Sequence, residues 1–159
     1  MAARLVGTNH VALCVTDVDR SADWYCELLG LTVVSNERNV GPPYFTDVRY
    51  RGLFDLTTLT YVIALHEHPQ GAQGPFDPRH LGLDHIGFSV PEREDLDDWV
   101  SRLDAKGVPH SGIIEAPYAT VVPFRDPDDI ALELIHPKVD FWAGLVNGVL
   151  AEPDERGRG

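Results

Sequence analysis

The chain has 159 residues, enough for one domain with a packed core or for two small halves, and its 43% hydrophobic and 24% charged residues are typical of a globular protein. Its formal net charge of −12 repels phosphate backbones, so we expect no nucleic-acid partner. No stretch approaches the roughly 18 apolar residues that a membrane span needs, and the N-terminus shows no secretory signal. We therefore expect no membrane partner and a cytoplasmic location.

The first half of the chain predicts one helix and four strands. The segment HVALCV, residues 10–15, is a short apolar run with alternation, which indicates a strand. A helix is expected over roughly 20–29, capped by Asp19 or Ser21 and ended by Gly30. Further strands are expected at about 31–37, 44–51 and 57–66, and the Pro/Gly-rich segment 67–82 is predicted to be a linker.

The second half repeats this order. HIGFSV, residues 85–90, predicts a strand, and residues 92–106 predict a helix ended by Gly107, which like Gly30 is expected in the left-handed conformation that glycine adopts readily. Strands follow at about 109–115, 118–125 and 130–136. An offset of 75 residues aligns His10 with His85 and Trp24 with Trp99. The sequence thus predicts two βαβββ modules, 5–66 and 83–137, followed by a helix over 138–150 and a disordered tail over 151–159.

The motifs of these modules resemble those of the vicinal oxygen chelate superfamily. The modules open with NHVALCVTD and LDHIGFSVP, and the second closes with FRDPDDIALELIHP. The superfamily includes glyoxalase I, fosfomycin-resistance transferases, bleomycin-resistance proteins and extradiol dioxygenases. The resemblance covers about residues 5–137 and implies an α+β fold, in which the modules curl into a cup of mixed β-sheet with helices outside. Asp129 stands where the family usually has glycine, and Asp is one of the better substitutes at such a turn position.

The same resemblance implies a metal site. Its ligand positions correspond to His10 and His85 at the first strand of each module and to Glu133 on the last strand of the second. Alternation places Glu133 among apolar residues, where a carboxylate is costly unless it is paired or coordinated. Two imidazoles and one carboxylate leave open positions for substrate, and divalent Mn, Fe, Co, Ni or Zn fits such a set.

A fourth ligand position is expected on the last strand of the first module, and the sequence leaves two residues open. Aligning Pro69 with Pro137 places Leu65 opposite Glu133, which has the wrong parity. A shift by one residue selects either Ala64 or His66. Ala64 would leave three protein ligands, whereas His66, which we include among the metal ligands, would give four.

Aromatic and cationic residues near the predicted strands are candidates for a substrate pocket. Those facing inward could stack on a small substrate or bind its carboxylate, and the candidates are Tyr44, Tyr50, Tyr118, Phe124 and Arg125.

These features favour a metal-dependent enzyme of the glyoxalase type, a lyase or isomerase that chelates a small oxygen-rich substrate, with Glu133 or a metal-bound water as the candidate for proton transfer. One alternative is an extradiol-type dioxygenase, whose iron would use the same triad. Another is a metal-free drug-binding protein of the bleomycin-resistance kind. The resemblance also implies a homodimer, and it leaves open whether His10 and His85 meet within one chain or between two.

Overall fold

The structure is a computed structural model that describes residues 8–38, 48–69, 71 and 74–151. The chain forms two compact units, which are residues 1–77 with 126–130 (unit 1) and residues 78–125 with 131–159 (unit 2). Within the described ranges, none of the helices has the length and apolar character needed to cross a bilayer.

Unit 1 contains a four-stranded sheet and one helix. In chain order its elements are β1 (Val11–Cys14), α1 (Val18–Leu29), β2 (Thr32–Arg38), β3 (Arg49–Phe54) and β4 (Val62–Glu67). The strand order across the sheet is β1-β4-β3-β2, with β1 and β4 parallel and the other pairs antiparallel.

Unit 2 repeats this arrangement and adds a C-terminal helix. Its elements are β5 (Ile86–Ser89), α2 (Asp95–Ala105), β6 (Ile114–Glu115), β7 (Ala119–Arg125), β8 (Ala131–Pro137) and α3 (Val139–Ala151). The sheet order is β5-β8-β7-β6, with β5 and β8 parallel. The predicted α+β class and the twice-repeated βαβββ order are therefore confirmed.

Particular residues determine where the helices begin and end. Helix α1 begins at Val18 because Asp17, rather than Asp19 or Ser21, accepts hydrogen bonds from the backbone N–H groups of Asp19 and Arg20. Gly30 and Gly107 follow the two helices with φ of 73° and 64°, the left-handed conformation that was predicted for both. Asp129 also has a positive φ, 65°, as expected for a residue at a glycine position.

Each unit buries one face of its sheet under its first helix. In unit 1 the buried helix side chains include Tyr25 and Leu28, and in unit 2 they are Leu96 and Leu103. Trp24 and Trp99 are only half-buried, so Tyr25 is the large aromatic residue of the unit 1 core. The sheet residues that complete these two cores alternate along the strands and are Leu13, Leu53, Ile63 and Leu65 in unit 1 and Val122, Phe124, Leu132 and Leu134 in unit 2.

Hydrogen bonds and an ion pair attach the segment 126–130 to α1 and to the residue before its cap, within unit 1. The Asp128 carboxylate accepts hydrogen bonds from the Thr16 N–H at 2.9 Å and from Thr16 Oγ1 at 2.5 Å, and it forms an ion pair with Arg20 at 2.5 Å. Asp126 accepts a hydrogen bond from the buried Tyr25 hydroxyl at 3.0 Å. These contacts hold the turn between β7 and β8 in a fixed conformation.

Candidate metal centre

The histidine that opens the first module is oriented by its neighbour in the chain. His10 Nδ1 lies 2.9 Å from Asn9 Oδ1. An amide oxygen only accepts, so Nδ1 carries the proton and donates to Asn9. The lone pair of the neutral ring is then on Nε2, the nitrogen that this contact leaves available as a ligand.

The second module repeats this arrangement. His85 Nδ1 lies 2.6 Å from Asp84 Oδ1. Metal-binding histidines commonly donate their other ring N–H to a carboxylate or carbonyl oxygen, which fixes the ring and raises its basicity. The side chain of His85 is 49% exposed, so its Nε2 is accessible to an ion or substrate.

Glu133 lies beside His85 in unit 2. It pairs in register with Gly87 of β5, and a Cβ built on Gly87 would lie 3.6 Å from Glu133 Oε1. Burial raises the pKa of the Glu133 carboxyl, and the nearby His85 partly opposes this shift. Among the described residues, no hydrogen bond or ion pair to its carboxylate is found. A half-buried carboxylate without such a partner suits a divalent cation, which would supply the missing positive charge.

The strand registers show which residue of unit 1 matches Glu133. Ala64 pairs with Ala12 as Glu133 pairs with Gly87, and Ala12 and Gly87 are equivalent in the repeat. Ala64 therefore holds the equivalent position, and His66 lies two residues further along the same face of β4.

His66 lies in an aromatic and imidazole-rich part of unit 1. Its ring makes an edge contact with Tyr50, with centroids 5.3 Å apart, and stacks at 6.1 Å on His68. Burial lowers the pKa of His66, and the charges of His68 and His10 lower it further. Tyr50 lies over Gly52, because a Cβ built there would be 2.8 Å from the Tyr50 hydroxyl oxygen.

The carboxylate at the end of β4 is engaged elsewhere in unit 1. Glu67 accepts a hydrogen bond from the Val18 N–H at 2.9 Å and another from Arg49 at 2.7 Å. It therefore stabilises the N-terminus of α1, whose exposed N–H groups favour negative charge. This role accounts for Glu67 without a metal.

A pocket in unit 2 brings the candidate ligands together with a cation. It has a volume of about 220 Å³, and its walls include Asp84, His85, Glu133 and Arg125. Arg125 pairs in register with Ala131, which places it on the same face of the sheet as Glu133. One imidazole, two carboxylates and a guanidinium thus line one small concavity.

The other predicted pocket residues are distributed differently. Tyr44 lies outside the described residues. Tyr50 shares the face of His66, whereas Tyr118 contacts Phe141 and Trp142 of α3. Phe124 pairs with Leu132 and is 2% exposed, so its side chain belongs to the core, and the residue also forms part of the wall of the unit 2 pocket.

Two residues next to the histidines were missed in the sequence. Asn9 and Asp84 occupy equivalent positions, and the signal that could have revealed them is the repeated dipeptide of a short acceptor side chain followed by histidine. Nowhere in the described ranges do three His, Cys, Asp or Glu side chains lie close enough to hold a metal ion. Taken singly, each unit presents a pair of interacting donors, His10 with His66 and His85 with Glu133.

Comparison with known proteins identifies relatives along most of the chain. The sequence model of the Glyoxalase/Bleomycin resistance protein/Dioxygenase superfamily matches residues 7–134. The "Uncharacterized protein YaeR" of Escherichia coli (strain K12) is 33% identical over 129 residues, which cover 79% of this chain and 92% of that protein. The "Putative ring-cleaving dioxygenase MhqA" of Bacillus subtilis (strain 168) is 27% identical over 80% of this chain but over only 39% of its own length.

Solved structures show the same fold. A glyoxylase/bleomycin resistance protein/dioxygenase domain from Frankia sp. EAN1pec has a TM-score of 0.73 and 33% identity, covering 85% of this chain and 100% of that chain. The fosfomycin resistance protein FosX from Listeria monocytogenes, complexed with Mn(II) and 1S,2S-dihydroxypropylphosphonic acid, has a TM-score of 0.63 and 16% identity, covering 88% and 99% of the two chains. At that identity the likeness to FosX is one of fold alone.

Proposed function

The chain belongs to the Glyoxalase/Bleomycin resistance protein/Dioxygenase superfamily, and we propose that it is a metal-dependent enzyme of the glyoxalase type, a lyase or isomerase. In this proposal His10, His85 and Glu133 bind one divalent metal ion, and a small oxygen-rich molecule is the substrate. His66 is proposed as a fourth ligand, two residues beyond Ala64 on the same face of β4; without it the set would have three protein ligands.

The observation that carries the proposal is the matching orientation of the two histidines. Asn9 and Asp84 each engage the Nδ1 of the following imidazole, at 2.9 and 2.6 Å. A histidine held only for packing does not need the same acceptor contact twice at equivalent positions. An oriented ring with a free Nε2 is what metal binding needs.

The proposed chemistry follows from the environment of Glu133. When bound, a divalent metal acts as a Lewis acid that stabilises negative charge developing on a substrate oxygen. Glu133 is the candidate general base, and as a ligated carboxylate it would have to loosen from the metal to accept a proton. Glu133 would take a proton from a carbon next to that oxygen and return it at a neighbouring atom, which is an isomerase or lyase step.

The first test is the metal content of protein purified without a histidine tag. Elemental analysis of wild type should give close to one metal per site, with loss in His10→Ala, His85→Ala and Glu133→Ala. His80→Ala is the control, because this histidine lies in a turn before the second module. Absence of metal after loading with Mn, Fe, Ni and Zn would contradict the proposal and favour the metal-free drug-binding alternative.

A second candidate function is extradiol ring cleavage, favoured by the similarity to MhqA. The identity of the metal separates the two candidates. Iron, together with oxygen consumption in the presence of a catechol, would support the dioxygenase. Activity with Mn, Ni, Co or Zn and no oxygen consumption would support the lyase or isomerase.

We also propose a homodimer, with α3 as its contact surface. Val139, Phe141, Trp142, Leu145 and Val146 are between 39% and 70% exposed, and from Phe141 to Ala151 the sequence has no charged residue. Such a patch, on the order of several hundred Å², is of the size that two copies need to approach the ~1,000 Å² of a stable interface. Leu145→Glu should therefore produce monomers in sedimentation analysis, and a monomeric wild type would refute this assignment.

Two inactive variants can show which chains supply the ligands. If each metal is bound by residues of two chains, mixing His10→Ala with Glu133→Ala should restore metal to some sites. If each site forms within one chain, the mixture should stay empty.

A further inference from the structure

One row of residues crosses the sheet of unit 2 through the pocket. Strands β5 and β8 are parallel with Ile86 beside Leu132, and the residues that precede this pair, His85 and Ala131, both line the pocket. On the other side Ala131 pairs with Arg125 of β7. The row therefore reads histidine, alanine, arginine on the face that carries Glu133. Since adjacent strands are about 4.8 Å apart, the backbones of His85 and Arg125 are about 10 Å apart.

We propose that Arg125 binds an anionic group of the substrate, a carboxylate or a phosphonate, while the metal-chelating oxygens lie toward His85 and Glu133. This inference rests on the proposed function and adds the substrate class to it. Ala131 projects only a methyl group between the two ends. A short carbon skeleton can therefore lie across it and reach both sides.

The corresponding row of unit 1 shows that the fold itself does not require this cation. Phe54 pairs with Val62 of β4 as Arg125 pairs with Ala131 of β8. Val62 lies two residues before Ala64, and Ala131 lies two residues before Glu133, its equivalent in unit 2. The same backbone frame therefore carries an aromatic and a valine in one unit, and a guanidinium and an alanine in the other. The guanidinium of Arg125 is therefore a feature of the unit 2 pocket and not of the shared strand pairing.

The charge of the protein makes a local cation necessary for such a substrate. A net charge of −12 disfavours the approach of anions to most of the surface, and Asp84 and Glu133 add negative charge to the pocket itself. A guanidinium can hold a carboxylate through two parallel hydrogen bonds, which gives both attraction and orientation. The pocket volume of about 220 Å³ lies below the range of about 300–1,000 Å³ for drug-sized ligands. A ligand that fits this pocket is therefore small.

The test compares three probes that share one chelating group. Catechol, 3,4-dihydroxybenzoate and 3,4-dihydroxyphenylphosphonate differ only in the absence or kind of anion. Their dissociation constants are measured on zinc-loaded protein by NMR, following the amide signals of Arg125 and Ala131. The variants are Arg125→Gln and Arg125→Lys, and Arg102→Gln on α2 removes the same charge from the same unit as a control.

In wild type and Arg102→Gln, at least one anionic probe should bind about tenfold or more tightly than catechol, as expected for hydrogen bonds to a charged group. Tighter binding of the benzoate would identify a carboxylate, and tighter binding of the phosphonate would identify that group. Arg125→Gln should remove the preference without weakening catechol, and Arg125→Lys should keep part of it. Retained folding is verified from the amide spectrum of each variant.

The inference is overturned if wild type shows no preference for either anion, or if the preference survives in Arg125→Gln. The same titrations on metal-free protein separate it from the proposed function. An Arg125-dependent shift of these amides by 3,4-dihydroxybenzoate, together with no zinc binding, would refute the metal enzyme and support the anion site. Catechol binding that requires zinc, with no advantage for either anion, would support the metal enzyme and refute the anion site.

Discussion

Replacing Glu133 with glutamine should stabilise the metal-free protein at neutral pH and destabilise the metal-loaded protein relative to wild type. Burial raises the pKa of this carboxyl above the ordinary value of 4.5. The stability that the group contributes is therefore fully present below that ordinary value and is lost as pH rises through the raised pKa in the folded state. At neutral pH the folded protein carries an ionised, half-buried carboxylate, and glutamine removes that cost.

The magnitude follows from the partial burial of the side chain. A buried group without a partner costs about 1–3 kcal/mol, and the lower end applies because solvent still reaches Glu133. About 1 kcal/mol corresponds to about 2–4 °C in the melting temperature of a chain of this size. A metal at a hundred times its dissociation constant adds about 2.7 kcal/mol. An affinity loss of about a hundredfold would cancel nearly all of that gain in Glu133→Gln.

Thermal melts with a chelator and with added metal, recorded near the ordinary glutamate pKa and at neutral pH, measure both effects. Glu115→Gln is the matched control in the same unit. Hydrogen bonds from Thr120 and Lys138 lower the pKa of Glu115, so this variant should be less stable at neutral pH and keep the metal response. Equal chelated melting temperatures for Glu133→Gln and wild type would refute the desolvation argument. If added metal raises the melting temperature of Glu133→Gln as much as that of wild type, Glu133 is not a metal ligand.

Three further substitutions test single contacts. Asp84→Ala should weaken metal affinity by about 10–100-fold, measured by competition with a chromophoric chelator, while His85 itself remains; unchanged affinity would contradict the orienting role. Burial raises the pKa of Asp128, but hydrogen bonds from Thr16 and the Arg20 charge outweigh it and lower the pKa. Asp128→Asn should therefore reduce stability at neutral pH by about 1 kcal/mol, and the deficit should shrink as pH falls below the usual aspartate pKa, as followed by circular dichroism. Phe124→Leu should lower the melting temperature and leave metal affinity unchanged, and a selective loss of metal would instead place this side chain in the site.

The sequence predicted the features of the fold that depend on local and periodic signals. The repeat revealed two equivalent modules, and Gly30 and Gly107 ended the helices in the predicted left-handed conformation. The start of α1 was harder to predict, because the break before it holds several residues that can cap a helix. Only the geometry selects Asp17, whose carboxylate reaches two backbone N–H groups.

Side-chain direction limited the prediction of the pocket. Phe124 and Arg125 are adjacent on one strand, so their side chains face opposite sides of the sheet, although both residues border the unit 2 pocket. Alternation alone does not tell which of them is buried, whereas pairing with Leu132 or Ala131 does. The equivalence of Ala64 with Glu133 depended in the same way on the register between β1 and β4. Register is set by long-range pairing, which a single sequence does not encode locally.

The two modules thus share a backbone frame and differ in what they place on it. Both begin with a histidine whose Nδ1 is engaged by the preceding residue. At the equivalent position of the last strand, unit 1 has the methyl group of Ala64 and unit 2 has the carboxylate of Glu133. At the end of the neighbouring row, unit 1 has Phe54 and unit 2 has Arg125. At these two positions unit 2 therefore carries a carboxylate and a guanidinium, and unit 1 carries neither. Unit 1 instead places the rings of Tyr50 and His66 near its own oriented histidine, so the two modules differ in the chemistry of their side chains although their strand pairing is the same.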